Sequence, residues 1–443
     1  MDSIPSAAFW DYWQRRRRGS ARTAADREVS QKVLQVIDAV REEGDRAIRR
    51  FAAAFDKSSP ESLETPTARI EEGYARLKKT EPALFSALEA ASSHIRRFAE
   101  AQKNQLADFD YEIAPGLTAG QKVIPVERAG VYAPAGRFPL ISSVLMGVIP
   151  AKAAGVPQVV LSSPPQEDGF PDWRILAAAR LAGADQVFAI GGAQAIAAMA
   201  LGTETVPQVD VLAGPGNRYV AEAKRLLFGE AGIDCAAGPT DVLIIAGDGA
   251  DAELIAADML AQAEHDPDAR ARALVPNTAM SEAVQERLNR RIRQAGPCCA
   301  NARASLDAGG LIIVYDTIEE AARIANTVAP EHLELHTANP DDWIGRVRNY
   351  GSLFIGAAAP EALGDYSAGI NHTLPTGGSA RFAGGLSARH FLKAATTLKC
   401  AAGAGWEAAL ETAQVIARAE GLRAHEESAA LRCRKEPGEK EKG

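Results

Sequence analysis

The sequence predicts an α/β fold whose parallel strands are arranged in two domains. From about residue 120 onward, short apolar runs rich in β-branched residues alternate with helical stretches, which is the pattern of parallel strands joined by helices. The chain of 443 residues is long enough for two or three domains with a substantial core. Its 47% hydrophobic and 24% charged residues are typical of soluble globular proteins.

The N-terminal part is predicted to be helical from about residue 25 to 105. Val29, Val33, Val36 and Ile37 recur at helical spacing, and SSPESLETPT reads as a loop. Beyond it, strands are predicted in VPQVVLSSPP, DQVFAIGG, QVDVLAG, DVLIIAG, ARALVPN, GLIIVYD and LELHT, and helices in DWRILAAARLAG and AQAIAAMALG. From about residue 388 the chain is helix-rich, and the polar tail KEPGEKEKG is expected to be disordered.

Composition and charge exclude several classes of function. The net charge of -8 argues against nucleic acid as the main partner, because phosphate binding requires a basic surface. The longest apolar zone is interrupted by Pro150, Lys152 and Pro157, so it does not predict a membrane span. Five cysteines without C-x-x-C spacing, and an N-terminus without an apolar signal segment, predict a cytoplasmic protein.

A helix predicted in DAELIAADMLAQAEH, ending before Pro267, carries the first candidate site residues. Gln262 and His265 are spaced i, i+3 and therefore share one helix face, where they could hold two corners of a zinc site. Glu264 lies between them and should point elsewhere. By itself this pair is a weak signal, because glutamine is an uncommon ligand and a lone Q-x-x-H usually lies on a solvated helix end.

Glycines at the junctions between strands and helices suggest a nucleotide-type ligand. Gly191 and Gly192 stand where a predicted strand meets a helix, and Gly214 and Gly216 open GPGNRY. A helix N-terminus at such a junction can bind a phosphate. Ordinary tight turns remain the alternative for each glycine cluster.

Two further segments combine carboxylates with imidazoles. Glu331 and His332 follow Pro330 and supply two groups for proton transfer, although neighbours on a regular strand point to opposite faces. The long polar loop GDYSAGINHTLPTGGSARFAGGLS contains Asp365 and His372, and long structured loops are often functional. Glu420 and His425 lie in ARAEGLRAHEES, which could also be a solvated helix.

Taken together, these segments resemble the histidinol dehydrogenase family. The stretches that carry the resemblance, in the order of the family, are ERAGVYAPAG, SSVLMGVIPAKAAGV, GGAQAIAA, AGPGNRYVAEAK, QAEHDP, APEHLEL, GDYSAGINHTLPTGG and AEGLRAH. These stretches lie between residues 127 and 425, and the resemblance extends over about residues 25 to 433, so the match is far more specific than any single motif.

The resemblance implies a complete set of site residues. The zinc ligands are expected to be Gln262, His265, Asp365 and His425, with one zinc ion per subunit. The acid/base pair is expected to be Glu331 and His332, and the NAD contacts Tyr132, Gln194 and Asn217. The implied substrate contacts are Thr240, Gln262, His265, His332, Asp365, His372, Glu420 and His425.

The resemblance also implies the architecture, which is two incomplete Rossmann-like domains in an intertwined homodimer with shared active sites. The expected division is a catalytic, zinc-binding domain over 25–130 and 241–386, a NAD-binding domain over 131–240, helical dimerisation segments over 1–24 and 387–434, and a disordered tail over 435–443. Glu420 and His425 would then complete the site of the other subunit.

The implied reaction takes L-histidinol to L-histidine through L-histidinal, with two NAD, as the last steps of histidine biosynthesis. Thr240 and Asp241 stand where the family usually has Ser and Glu, and Ala135 replaces a common glycine, so these changes bear on substrate fit. One alternative is a paralogous zinc/NAD dehydrogenase that acts on another small polyol or a sulfonated diol. A second is a non-catalytic binding protein that has kept the scaffold.

Overall fold

The computed structural model describes residues 1–19, 24–56, 58, 60–135, 138–235 and 238–433. The tail predicted to be disordered, 435–443, lies outside these residues. The described chain forms two compact units. The larger unit contains Met1–Lys103 and Val126–Phe391, and the smaller unit contains Asn104–Pro125 and the chain from Leu392 onward.

The strands and helices of the described chain alternate from β4 onward, as the sequence predicts. The strands are β1 (Asp2–Pro5), β2 (Phe109–Ala114), β3 (Leu117–Pro125), β4 (Arg128–Tyr132), β5 (Gln158–Ser163), β6 (Gln186–Ala189), β7 (Val211–Ala213), β8 (Gly232–Ile233), β9 (Asp241–Ala246), β10 (Arg270–Val275), β11 (Leu311–Val314), β12 (His332–His336), β13 (Ser352–Ile355) and β14 (Leu392–Cys400). The helices are α1 (Ser6–Gly19), α2 (Ala24–Glu43), α3 (Asp45–Phe55), α4 (Thr67–Thr80), α5 (Pro82–Asn104), α6 (Ile141–Ala154), α7 (Trp173–Ala182), α8 (Gly192–Leu201), α9 (Arg218–Leu227), α10 (Ala252–Glu264), α11 (Thr278–Ala295), α12 (Ala300–Gly309), α13 (Ile318–Val328), α14 (Asp341–Ile344), α15 (Glu361–Tyr366), α16 (Ala404–Ala419) and α17 (Arg423–Cys433).

The larger unit contains two parallel sheets that are wound in the same order. The five-stranded sheet runs β6-β5-β4-β7-β8, and the six-stranded sheet runs β1-β11-β10-β9-β12-β13. In the five-stranded sheet, β4, β5 and β6 follow one another toward one edge, and β7 and β8 lie on the other side of β4. In the six-stranded sheet, β9, β10 and β11 follow one another toward one edge, and β12 and β13 lie on the other side of β9. This is the doubly wound order of a Rossmann-like fold, with β1 added at one edge. The predicted α/β fold with parallel sheets is confirmed.

Apolar burial explains why these segments form central strands. Each residue of β9 is buried, and the runs VVL in β5 and LII in β11 are buried as well. Strands covered by helices on both faces need such continuous apolar runs. The predicted helix over ADREVSQKVLQVIDAVREE is also present as α2, and its residues Val29, Val33, Val36 and Ile37 pack into the core around the five-stranded sheet.

The N-terminal segment is not wholly helical, so this part of the prediction is wrong. Residues Asp2–Pro5 form β1, which pairs with β11 from Asp2↔Leu311 to Pro5↔Val314. An edge strand such as β11 offers a row of backbone donors and acceptors to a further strand. The following helix buries Phe9 completely in the core of the same sheet.

The C-terminal segment also begins with a strand that the sequence analysis missed. In the smaller unit β14 pairs antiparallel with β3, which pairs with β2, to give a three-stranded sheet. Its sequence LKAATTLKC has a weak period of two and much of it is exposed, so its apolar signal is poor. Helices α16 and α17 follow, as expected for a helix-rich end. No helix among the described residues has the length and apolarity needed to cross a membrane.

Candidate active site

The C-terminal end of α10 places a buried amide next to a partly exposed imidazole. Asp251 caps the helix by accepting a hydrogen bond from the Glu253 backbone N–H at 2.8 Å. Gln262 is fully buried, whereas the side chain of His265 is 43% exposed. Glu264 is exposed. The two predicted ligands therefore differ in access, with His265 nearer to solvent.

A second group of site residues comes from the turn that leads into β12. Ala329 has a φ of 49°, and among the described residues it is the one non-glycine residue with a positive φ. This turn delivers Glu331 directly before β12, which begins at His332. Glu331 Oε2 and His332 Nδ1 are consequently only 3.9 Å apart. The two neighbours can act together, which regular strand geometry would have prevented.

Glu331 is fixed by the start of β9. Its Oε2 accepts hydrogen bonds from the Thr240 hydroxyl at 2.5 Å and from the Asp241 backbone N–H at 3.1 Å. In return, its own backbone N–H donates to Asp241 Oδ1 at 3.0 Å. Arg272 donates to the other oxygen of Asp241 at 2.9 Å, and both side chains of this ion pair are buried. The unusual Thr240-Asp241 dipeptide thus holds Glu331 directly.

Burial shifts the pKa values of Glu331 and His332 in opposite directions. Burial raises the pKa of the Glu331 carboxyl well above its usual range, opposed by the hydrogen bond from Thr240. Burial lowers the pKa of the His332 imidazole to about 3, so the ring is neutral at physiological pH. Neither ring nitrogen of His332 has a hydrogen-bond partner among the described residues. A neutral ring with an open nitrogen can accept a proton.

The short helix α15 completes a cluster of potential metal ligands. Glu361 and Asp365 are spaced i, i+4 on it, and both are buried. Ligand atoms of His265, Glu361 and Asp365 all lie within 4.8 Å of one another, with His265 Nε2 4.0 Å from Asp365 Oδ2. Burial raises the pKa of Asp365 to about 7. An imidazole and two carboxylates are a donor set that fits zinc.

The amide of Gln262 lies between the Thr240 hydroxyl and the Glu361 carboxylate. With its nitrogen toward Thr240, it donates to Oγ1 at 2.9 Å, and its oxygen lies 2.9 Å from both carboxylate oxygens of Glu361. In the opposite orientation the nitrogen donates to Glu361 and the oxygen accepts from Thr240. The first orientation leaves oxygens facing one another, which either a cation or a proton on Glu361 can bridge.

The polar loop after α15 connects the six-stranded sheet to the five-stranded one. His372 Nδ1 lies 3.1 Å from the backbone oxygen of Asp365, and its Nε2 lies 3.4 Å from the Ser143 hydroxyl on α6. Asn371 donates to the backbone oxygen of Met146 at 2.7 Å. Burial lowers the pKa of His372 to about 4. The predicted loop residue His372 therefore faces the cluster from the side of α6.

The three residues predicted to contact NAD lie at the carboxyl ends of strands in the five-stranded sheet. Tyr132 ends β4, and its hydroxyl accepts a hydrogen bond from the Gly192 backbone N–H at 3.1 Å. Gln194 is buried in the first turn of α8, which follows β6. Asn217 follows β7 and caps α9 by accepting from the Tyr219 N–H at 2.9 Å. These positions flank β4 and β7, where the strand order reverses and Rossmann-like folds bind dinucleotides.

The remaining predicted site residues belong to the smaller unit. Glu420 follows α16, and His425 lies in the first turn of α17. Both side chains are exposed. Within the larger unit the structure brings together Gln262, His265 and Asp365.

Several residues of the site were missed in the sequence. The spacing of Glu361 and Asp365 could have identified Glu361, because i, i+4 residues share a helix side. The alternation in HLELH could have identified Glu334, since His332, Glu334 and His336 lie on one buried face of β12 while Leu333 and Leu335 pack into the core. Ser143 carries no signal of its own in SSVLMG.

Comparison with known proteins gives consistent matches over nearly the whole chain. A family model described as histidinol dehydrogenase matches residues 20–433. A histidinol dehydrogenase of Thermus thermophilus is 46% identical over 407 residues, which are 92% of this chain and 95% of that protein. One of Methylococcus capsulatus is 43% identical over 92% of this chain and 93% of the relative.

A solved structure supports the same similarity in three dimensions. The crystal structure of histidinol dehydrogenase from Elizabethkingia anophelis superposes with a TM-score of 0.85 at 34% sequence identity. The match covers 91% of each chain. The resemblance that the sequence motifs carry is therefore confirmed.

Proposed function

Because this chain belongs to the histidinol dehydrogenase family, we propose that it oxidises L-histidinol to L-histidine through L-histidinal, with zinc and two NAD. Family membership makes it an oxidoreductase of histidine biosynthesis. The observation that carries the proposal is the neutral, open imidazole of His332. It lies 3.7 Å from Glu361 and 3.8 Å from Asp365, next to the ligand cluster.

Gln262, His265 and Asp365 are the residues of this subunit that would hold the zinc ion. The buried carboxylate, the imidazole and the amide oxygen fit zinc, and partial exposure of His265 leaves access for substrate. When bound, zinc supplies a Lewis acid that orients the amino alcohol and stabilises negative charge on its oxygen. A nearby cation would also favour the ionised forms of the carboxylates, whose pKa values burial raises.

His332 is the base of both oxidation steps. In the first, its neutral ring would take the proton of the substrate hydroxyl, and NAD, when bound, would accept the hydride from the carbon that bears this hydroxyl, which gives the aldehyde. In the second, His332 would take a hydroxyl proton of the hydrated aldehyde, and a second NAD would accept the hydride, which gives the carboxylic acid. The lack of a competing partner at either ring nitrogen supports this role.

Glu331 activates the water that hydrates the aldehyde between the two oxidations. A carboxylate in an apolar environment is a stronger base than one in water, and burial raises the pKa of Glu331. The donors Thr240 and Asp241 stabilise its ionised form and fix its position. Thr240 and His372 also contact the substrate, and they select it through hydrogen bonds to its polar groups rather than through its size.

NAD binds at the carboxyl ends of the five-stranded sheet through Tyr132, Gln194 and Asn217. The N-termini of α8 and α9 at these positions carry a positive dipole end, which suits a pyrophosphate. The bridge between Ser143 and His372 puts this end of the sheet next to the ligand cluster. Hydride transfer between substrate and cofactor requires that proximity.

A second copy of the chain completes each site in a homodimer. Glu420 would bind the substrate and His425 the zinc ion, each in the site of the partner subunit. Exposed apolar side chains on and around α16 and α17, namely Val415, Ile416, Leu422 and Leu431, support an interface there. The enzyme is proposed to act in the cytoplasm without nucleic acid or membrane partners.

A histidinol-dependent assay of NADH formation tests the whole proposal. Purified protein loaded with zinc should form two NADH per L-histidine, and treatment with a chelator should abolish the rate until zinc is restored. NADH formation from another small polyol or a sulfonated diol, with none from histidinol, would instead support the paralogous dehydrogenase. Absence of zinc from the untreated protein by elemental analysis would contradict the metal assignment.

A further inference from the structure

We propose that Glu361 is an additional ligand of the metal centre, beyond the four residues that the family resemblance implies. The inference rests on the proposed zinc-dependent function. It assigns a direct role in metal binding to a carboxylate whose role the sequence motifs did not indicate. The argument starts from the hydrogen bonds that surround Gln262.

A chain of donors fixes the orientation of the Gln262 amide when Glu331 is ionised. The Thr240 hydroxyl carries a single hydrogen, which it donates to Glu331 Oε2 at 2.5 Å. Thr240 Oγ1 can then only accept from Gln262, and Nε2 of Gln262 donates to it at 2.9 Å. The amide oxygen is consequently turned toward Glu361.

This orientation leaves a gap that a cation fits. In this orientation the Gln262 oxygen is 2.9 Å from both Oε1 and Oε2 of Glu361. The same distance also fits a hydrogen bond from the amide in its opposite orientation, so the ligand role of Glu361 rests on the cluster, in which ligand atoms of His265, Glu361 and Asp365 all lie within 4.8 Å of one another.

Glu361 is held in place by a hydrogen bond from its backbone to a buried side chain of β12. Glu334 is fully buried, and its Oε1 accepts a hydrogen bond from the Glu361 backbone N–H at 2.8 Å. Glu334 Oε2 lies 3.1 Å from His336 Nε2, which is also 3.5 Å from Asp258 Oδ2. This buried network holds the start of α15, so Glu361 and Asp365 approach His265 together.

The test compares zinc affinity in Glu361→Gln, Glu361→Ala and the wild-type holoenzyme by competition with a chelator. If Glu361 is a ligand, both substitutions should weaken zinc binding by at least about tenfold, because a neutral amide is a poor substitute for a carboxylate. The cobalt-substituted protein should also show shifted d–d absorption bands in Glu361→Gln. Asp56→Asn is the matched control, since it removes a partly buried carboxylate beside the start of α8, outside the ligand cluster, and should change zinc affinity less than about threefold.

Different failures point to different conclusions. Unchanged zinc affinity and unchanged cobalt bands in Glu361→Gln would overturn the ligand role. The ligand role would also be overturned if Glu361→Ala lost zinc affinity and Glu361→Gln kept it fully. That result would mean that residue 361 acts only by accepting a hydrogen bond from the Gln262 amide, which a glutamine oxygen can also do. A wild-type protein that binds no zinc would overturn the metal part of the proposed function together with this inference. Far-ultraviolet circular dichroism checks that each variant is folded.

Discussion

The two parallel sheets of the larger unit share a winding order but present their candidate site residues at opposite ends. In the five-stranded sheet, Tyr132 and Asn217 lie at or beyond the carboxyl ends of β4 and β7. In the six-stranded sheet, Thr240 and Glu331 precede the amino ends of β9 and β12. The proposed cofactor site follows the usual rule that ligands bind at carboxyl ends, whereas the proposed metal site does not.

The difference reflects the helix ends that meet each sheet. Carboxyl ends in the five-stranded sheet are followed by the N-termini of α8 and α9, whose free N–H groups and dipoles favour an anion. The amino ends of the six-stranded sheet are met by the C-terminal end of α10, which favours a cation. One winding order can thus serve a phosphate-bearing cofactor at one end and a metal at the other.

Removing the imidazole of His332, at the amino end of the six-stranded sheet, should produce the largest loss of activity. His332→Asn should lower kcat by about 10³-fold, because general base catalysis typically contributes 10²–10⁴-fold. Zinc content and the Kd of NAD should not change, since the variant leaves both the ligand cluster and the five-stranded sheet intact. His265→Asn is the matched variant, and it should act through lost zinc, measured by elemental analysis. Equal zinc content and wild-type rates in both variants would refute these roles.

Weakening the support of Glu331 should affect stability and activity together. Asp241→Asn removes one charge from the buried pair with Arg272, and breaking such a pair costs about 3 kcal/mol. Urea unfolding should show that loss in the free energy of unfolding, along with a lower kcat. A variant as stable as the wild type would indicate that Arg272 finds another partner.

Removing a helix cap at the carboxyl end should have a smaller effect confined to cofactor binding and local stability. Asn217→Ala deletes the side chain that accepts from the Tyr219 and Val220 N–H groups, which costs about 1 kcal/mol. The KM for NAD should rise while zinc affinity is retained. If zinc affinity falls and the KM for NAD does not change, the assignment of the two ends is reversed.

The smallest effect is expected from the carboxylate beside the start of α8. Burial raises the pKa of Asp56 to about 6, so between pH 4 and 6 the folded protein binds more protons there than the unfolded chain. This contribution to stability is present at low pH and is lost as the pH rises through 6. Asp56→Asn should therefore gain stability relative to the wild type over that range, as measured by urea unfolding at several pH values. A difference that does not vary with pH would contradict the shift.

Much of the site could be predicted from local sequence, and what was missed has identifiable reasons. Helical spacing places Gln262 and His265 on one helix face, and the resemblance to the family assigned them, with Asp365 and His372, to the site. Glu361 was missed although it shares a helix side with Asp365, because α15 is only six residues long and sits in a loop-like segment. The adjacency of Glu331 and His332 was judged unfavourable, because the irregular backbone after Ala329 leaves no mark in the sequence.

The sequence by itself determined the succession of strands and helices, since apolar runs and helical periodicity are local properties of the chain. It also determined the family, because eight collinear motifs are specific even when each is weak. Only the tertiary structure decided that β1 joins the edge of the six-stranded sheet, because pairing requires a partner strand distant in sequence. Only it decided that Gln262 faces Glu361, 99 residues along the chain, because that contact depends on how α10 and α15 pack against β12.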